Sequence, residues 1–231
     1  MSTSVNLGGA PGFQNATRIQ QALTAAVERR ALQWLAERTP QQVGPDHLTL
    51  LGLAAQFFAG ASYALAGWNK YFLLLATFWI AVNWLGDSMD GTLARFRQQQ
   101  RPRYGFYVDH MVDTFGSAFL MLGLAMSGYL HWQVALAMLV AFLVLSVETY
   151  LAAYTVADFR LSHGRFGPTE IRLLLMIGNV ALLFRPFANL FGYRYLLFDV
   201  GGVIASVGMI GMGIVATVQH TRRLYAEERL P

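Results

Sequence analysis

The sequence predicts an all-α, polytopic membrane protein with six transmembrane helices preceded by an amphipathic surface helix. Three observations predict it. Apolar residues make up 55% of the 231 and charged residues only 13%, about half the share usual in a soluble domain. The apolar residues gather into runs long enough to cross a bilayer, which takes ~20 mainly apolar residues per helix. The basic residues fall almost entirely on alternate connections between those runs, as orientation in a membrane requires. The mean hydropathy of +0.40 agrees. No series of ten-residue alternating strands is present, so a β-barrel is not expected.

The surface helix is read over residues 15–38. Ile19, Leu23, Ala26, Val27, Leu32 and Leu35 recur at helical spacing, and Arg18, Arg29, Arg30 and Arg38 take other positions. A helix that caps the protein rather than lying on lipid is the plainer alternative. Pro40 and Pro45 separate it from the first span, for which Asp46 is a candidate N-cap. The six spans are read at 48–67, 71–89, 106–130, 132–156, 169–187 and 197–220. Residues 1–44 then form a tail and juxtamembrane helix, 45–221 the transmembrane catalytic domain, and 222–231 a cytoplasmic tail. No cleavable signal peptide is expected, because residues 1–40 contain no apolar core segment.

Orientation follows from the 16 arginines and the single lysine, Lys70. Fourteen of these 17 lie on one side, against Lys70, Arg185 and Arg194 on the other. Both termini are therefore expected to be cytoplasmic, in an inner or plasma membrane. The same distribution explains the net charge of +4 better than nucleic acid does, and no nucleic-acid partner is expected. The absence of cysteine excludes disulfides and thiolate metal sites.

The chemistry concentrates between the second and third spans. From Asp87 the chain reads D-S-M-D-G-T-L-A-R, then nine residues, then G-F-Y-V-D-H-M-V-D. Asp87 and Asp90 are spaced i, i+3, and Asp109 and Asp113 i, i+4. Each pair thus lies on one helix face, with side chains ~5–6 Å apart. The short connection makes the two spans antiparallel neighbours, so four carboxylates reach one membrane depth. Burying even one uncompensated charge costs several kcal/mol. Partial protonation is one remedy. Divalent cations are the other, and carboxylate-only ligands suit hard ions such as Mg²⁺ or Mn²⁺. Metal pairs ~3.5–4 Å apart are a recurrent device of phosphoryl transfer. Gly91 and Ala94, one turn apart, let a flat ligand near the helix backbone, and Arg95 can grip a phosphate in two-point fashion. Taken singly, Gly91 and Ala94 are ordinary packing residues, and Arg95 an interface arginine.

This stretch closely resembles the signature of the CDP-alcohol phosphotransferase family, D-x2-D-G-x2-A-R, about eight residues, then G-x3-D-x3-D. Every fixed position is matched, and the nine-residue spacer before Gly105 is the only departure. The resemblance implies that Asp87, Asp90 and Asp109 are the main metal ligands. It implies that Asp113 is the general base and also touches the second of two Mg²⁺ or Mn²⁺ ions. It implies that Gly91, Ala94 and Arg95 contact the CDP moiety. The implied partners are a CDP-alcohol donor, an acceptor alcohol, membrane lipids and a second copy of the chain. The implied reaction is attack of the acceptor hydroxyl on the β-phosphorus, releasing CMP.

Weaker signals surround this core. Glu148, deep in the fourth span, reads either as an acceptor-site residue or as a structural polar contact. The stretch 154–172 carries Asp158, Arg160, His163, Arg165, Glu170 and Arg172, which suits acceptor-pocket shaping or lipid headgroups. Its R-F-G-P-T-E-I-R faintly resembles choline/ethanolamine phosphotransferases. His110 points ~100° away from its neighbouring aspartate and reads as support or packing. Gly201, Gly202, Gly208, Gly211 and Gly213 suggest close helix packing or dimer contact. The rival function is a cation-coupled transporter, since intramembrane acids also serve ion pathways. Against it, the aspartates sit at the cytoplasmic edge and no two-fold internal repeat is evident.

Overall fold

A computed structural model describes residues 25–156 and 168–228. The described residues are almost wholly helical. α1 spans Ala25–Arg38, α2 Pro45–Ala66, α3 Phe72–Phe96, α4 Pro102–Met126, α5 Trp132–Thr155, α6 Pro168–Phe184 and α7 Leu197–Glu227. Between α6 and α7 lie two short antiparallel strands, β1 Phe187–Leu190 and β2 Tyr193–Leu196. Four helices, α2, α3, α5 and α7, are long and apolar enough to cross a membrane. α4 carries Arg103, Asp109 and Asp113, and α6 has 17 residues, so neither stands out by length and composition.

α2 begins earlier than the Asp46 cap predicts. Pro45 takes the first helical position, where its fixed φ and missing N–H cost nothing, and the cap falls on Gly44. The Gly44 N–H donates to His47 Nδ1 at 3.0 Å. Asp46 is thereby placed inside the first turn, where it still favours the helix dipole and pairs with Arg101.

Glycines let three helices meet backbone to backbone. A Cβ on Gly86 of α3 would lie 2.7 Å from the Leu48 carbonyl oxygen and 2.8 Å from the Gly52 nitrogen of α2. A Cβ on Gly123 of α4 would lie 1.9 Å from the Gly60 carbonyl oxygen. No other residue fits at these crossings. The α2–α3 crossing is fastened by Asn83, whose Nδ2 donates to the Gly52 carbonyl at 3.0 Å. Deeper, a buried chain joins α2, α6 and α3: Tyr63 donates to Asn179 Oδ1 at 2.8 Å, and Asn179 Nδ2 donates to Thr77 Oγ1 at 3.1 Å. Each buried polar group here finds a partner, as an apolar surrounding demands. Around it pack Ala59, Leu73, Ala76, Ile80, Leu124 and Leu182.

α5 and α7 pair through two of the five glycines read as packing residues. Gly202 faces Val134, Met138 and Leu130, and Gly213 faces Leu145. Gly201, Gly208 and Gly211 face open space. Glu148 joins the same helix pair, its Oε1 lying 2.6 Å from His220 Nδ1. That contact favours the structural reading of Glu148 over an acceptor-site role.

The described part of α1 packs apolar side chains on protein. Leu32 and Ala36 are buried with Leu48 of α2 and Met89 and Leu93 of α3. Arg97, counted in the sequence only for orientation, locks the α1–α2 connection to the end of α3. Its guanidinium donates to the carbonyls of Val43, Thr39 and Pro40 at 2.6, 2.8 and 2.9 Å. α7 continues to Glu227, beyond the boundary expected at 221. Residues 15–24 of the expected surface helix, and Asp158, Arg160, His163 and Arg165, lie outside the described residues.

Candidate active site

The Gly52–Gly86 crossing presses the acidic turn of α3 against α2. Asp90 is oriented by two donors: Thr49 Oγ1 of α2 reaches its Oδ2 at 2.7 Å, and the Gly91 N–H its Oδ1 at 2.5 Å. Asp87 Oδ2 lies 2.8 Å from Nη1 of Arg172, on α6. That nitrogen is buried and makes no well-aligned hydrogen bond, so the contact is an ion pair by proximity rather than a directed bond. Attraction between opposite charges in a half-buried site does not need alignment.

From α4 come the other two carboxylates. Asp113 stands in the electric field of Asp87, Asp109, Asp90 and Arg172, and Asp90 in that of Asp109 and Asp87. The four aspartates predicted from the sequence thus form one electrostatic cluster drawn from two helices. Around α4, Tyr150 of α5 stands in the field of Asp113 and Asp109. His110 is wedged between Phe106 and Tyr150, ring centroids 4.1 and 4.5 Å away, which fits support rather than chemistry.

The three residues read as nucleotide contacts lie together on the last turns of α3. Ala94 is half-buried. Arg95 folds back so that Nη2 donates to Thr92 Oγ1 at 3.2 Å. Its Nη1 would be 3.3 Å from a Cβ on Gly91, so the glycine gives the guanidinium its room.

The donor set is oxygen only: four carboxylates, with the Arg172 guanidinium beside Asp87. That excess of negative charge suits hard divalent cations. Among the described residues, no three of His, Cys, Asp or Glu are close enough together to hold one ion. Sequence reasoning missed Thr49 altogether and gave Arg172 no contact with the aspartates. Both act on the cluster from helices distant in sequence, where spacing rules do not reach.

Residues 42–218 match the CDP-alcohol phosphatidyltransferase family. The chain belongs to this family. The match starts just before α2 and ends within α7, so it takes in every aspartate of the cluster and leaves α1 outside. This CDP-alcohol phosphatidyltransferase is therefore an integral membrane protein of a transferase class. It is also 27% identical over 113 residues to the archaetidylinositol phosphate synthase of Pyrococcus horikoshii. That segment covers 49% of this chain and 53% of the relative, about half the length of each.

Proposed function

We propose that the protein transfers the phospho-alcohol group of a CDP-alcohol, such as CDP-diacylglycerol, to the hydroxyl of an acceptor alcohol. The observation that carries this reading is the cluster of Asp87, Asp90, Asp109 and Asp113 beside the Gly91–Ala94–Arg95 turn. In the reaction the acceptor oxygen bonds to the β-phosphorus and its proton passes to Asp113. The bond from that phosphorus to the bridging oxygen breaks, and CMP leaves with the electron pair. An alcohol is a weak nucleophile until a base takes its proton, which is the work assigned to Asp113. Asp87, Asp90 and Asp109, with Asp113 on the second ion, would hold two Mg²⁺ or Mn²⁺. Such ions supply charge stabilisation at the reacting phosphates. Gly91, Ala94 and Arg95 hold the CDP moiety, and Arg95 offers its guanidinium to a phosphate.

The relative is by its name a synthase of archaetidylinositol phosphate, so an inositol phosphate is the first acceptor to try. Purified protein in detergent is given a CDP-alcohol, Mg²⁺ and a panel of inositol phosphate, inositol, glycerol phosphate, serine and amino alcohols. One acceptor should yield a new phospholipid by mass spectrometry. A protein that transports cations yields none. Chelation with EDTA should abolish product, and Mg²⁺ or Mn²⁺ should restore it. Full turnover after exhaustive chelation contradicts the two-metal reading.

The frame proposed for this site is six spans with both termini and the acidic cluster on the cytoplasmic side, assembled as a homodimer. The arginine asymmetry supports the orientation. The outward Gly201, Gly208 and Gly211 of α7 support close approach of a second copy. With no native cysteine, a single Gln99→Cys substitution reports the side of the α3–α4 connection. It should resist impermeant thiol reagents in intact cells and react after lysis. Labelling in intact cells contradicts the topology.

A further inference from the structure

One carboxylate outside the acidic cluster, and outside the family match, is tied directly to the helices that carry it. Glu28 lies in the first turn of α1. Its Oε1 accepts three hydrogen bonds, from Trp84 Nε1 at 3.1 Å, Ser88 Oγ at 3.3 Å and Thr169 Oγ1 at 3.2 Å. Trp84 and Ser88 are one turn apart on α3, and Ser88 follows Asp87 directly. Thr169 opens α6, one turn before Arg172, whose Nη1 lies 2.8 Å from Asp87. α3 and α6 are therefore joined twice: through Glu28, by Trp84, Ser88 and Thr169, and through the Arg172–Asp87 pair.

We propose that Glu28 is a positioning residue that sets the spacing between the Asp87–Asp90 turn of α3 and the Arg172-bearing start of α6. It makes α1 part of the frame of the active site. The physical case has three parts. A carboxylate at the N-terminus of α6 is favoured by that helix's dipole and by the donors at its first turn. Three donors converging on one oxygen fix its place more firmly than any single bond, and leaving them unmet in a half-buried site is costly. The packing of Leu32 and Ala36 on Met89 and Leu93 holds α1 in place independently of Glu28, so the carboxylate's task is register rather than adhesion. In its influence on the reaction, the inference rests on the function proposed above.

The other oxygen of Glu28, Oε2, is buried without a hydrogen-bond partner among the described residues. Glu28→Gln therefore keeps every bond on Oε1 and sacrifices none on the other atom. Glu28→Ala removes all three. A third variant, Leu32→Ala, weakens α1 packing while leaving the Glu28 bonds in place. The test measures Mg²⁺-dependent donor binding and the distance between spin labels on Phe96→Cys of α3 and Leu173→Cys of α6.

Glu28→Ala should broaden the label distance distribution. It should raise the Mg²⁺ concentration for half-maximal donor binding by about 10-fold, the scale typical when a residue supporting metal ligands is lost. Glu28→Gln, which keeps the three bonds but loses the charge, should stay closer to the parent than to Glu28→Ala in both. Leu32→Ala should lower the thermal midpoint and leave both readouts unchanged. A narrow distance distribution in Glu28→Ala overturns the proposal, as does a Leu32→Ala variant that reproduces every effect of Glu28→Ala. If the parent binds no donor while Glu28→Ala still broadens the distance, the proposed reaction fails and Glu28 remains only a fastener of α3 to α6.

Discussion

Asp113→Asn should lower CMP release by about 10²–10⁴-fold, the usual cost of losing a general base. Donor binding should change little. Asp113 sits one turn deeper along α4 than Asp109, in the field of the other three aspartates and of Arg172. Asparagine keeps the shape but cannot take a proton from an attacking hydroxyl. An interaction needed mainly in the transition state depresses turnover and leaves ground-state binding intact. Titration of the Mg²⁺–donor complex alongside CMP release separates the two. Near parental turnover removes Asp113 from the role of base. Loss of donor binding as severe as that of a metal-ligand variant makes it chiefly a ligand.

Asp90→Asn should damage both binding and turnover. Thr49 and the Gly91 N–H fix both oxygens of Asp90, so its charge is aimed before any substrate arrives. The amide retains an acceptor but loses the charge assigned to the metal. Metal ions contribute several kcal/mol of charge stabilisation in such sites, and each 1.36 kcal/mol is tenfold in rate. Turnover should therefore fall by about 10³-fold, with donor affinity falling alongside it. A variant that binds donor as the parent does takes Asp90 out of the metal set. Thr49→Val is the companion measurement. It removes the hydroxyl that orients Asp90 and should produce a smaller loss of the same kind.

The sequence carried the elements well and the contacts between them poorly, for a physical reason. Hydropathy runs and helix periodicity are local, so the helix starts at 71, 132, 169 and 197 fall within one residue of those observed. The spacing of Asp87, Asp90, Asp109 and Asp113 is likewise local to two helices and one short connection. Cap placement failed at Asp46 because Pro45 is better suited to the first helical position than Asp46 is to a cap. The β1–β2 hairpin went unread, although Phe191-Gly192 between aromatic-rich runs was a signal for it. Both residues adopt positive φ, 51° and 83°, as a two-residue hairpin turn requires. Glu28 with Thr169, Thr49 with Asp90, and Glu148 with His220 are partners 141, 41 and 72 residues apart. No periodicity links such positions. α1 shows the same limit, since its amphipathic pattern marks an apolar face without telling lipid from protein. In its described part the structure packs Leu32, Leu35 and Ala36 against α2 and α3.

The central claim is that the four-aspartate cluster transfers a phospho-alcohol group and releases CMP. The most direct test is the stoichiometry of that release. Purified protein in detergent receives a CDP-alcohol, Mg²⁺ and the acceptor found by the panel, and CMP and phospholipid product are quantified together over time. The account predicts equal amounts of the two, neither forming without acceptor or without divalent ion. CMP released at the same rate without any acceptor would make the protein a hydrolase and contradict the account.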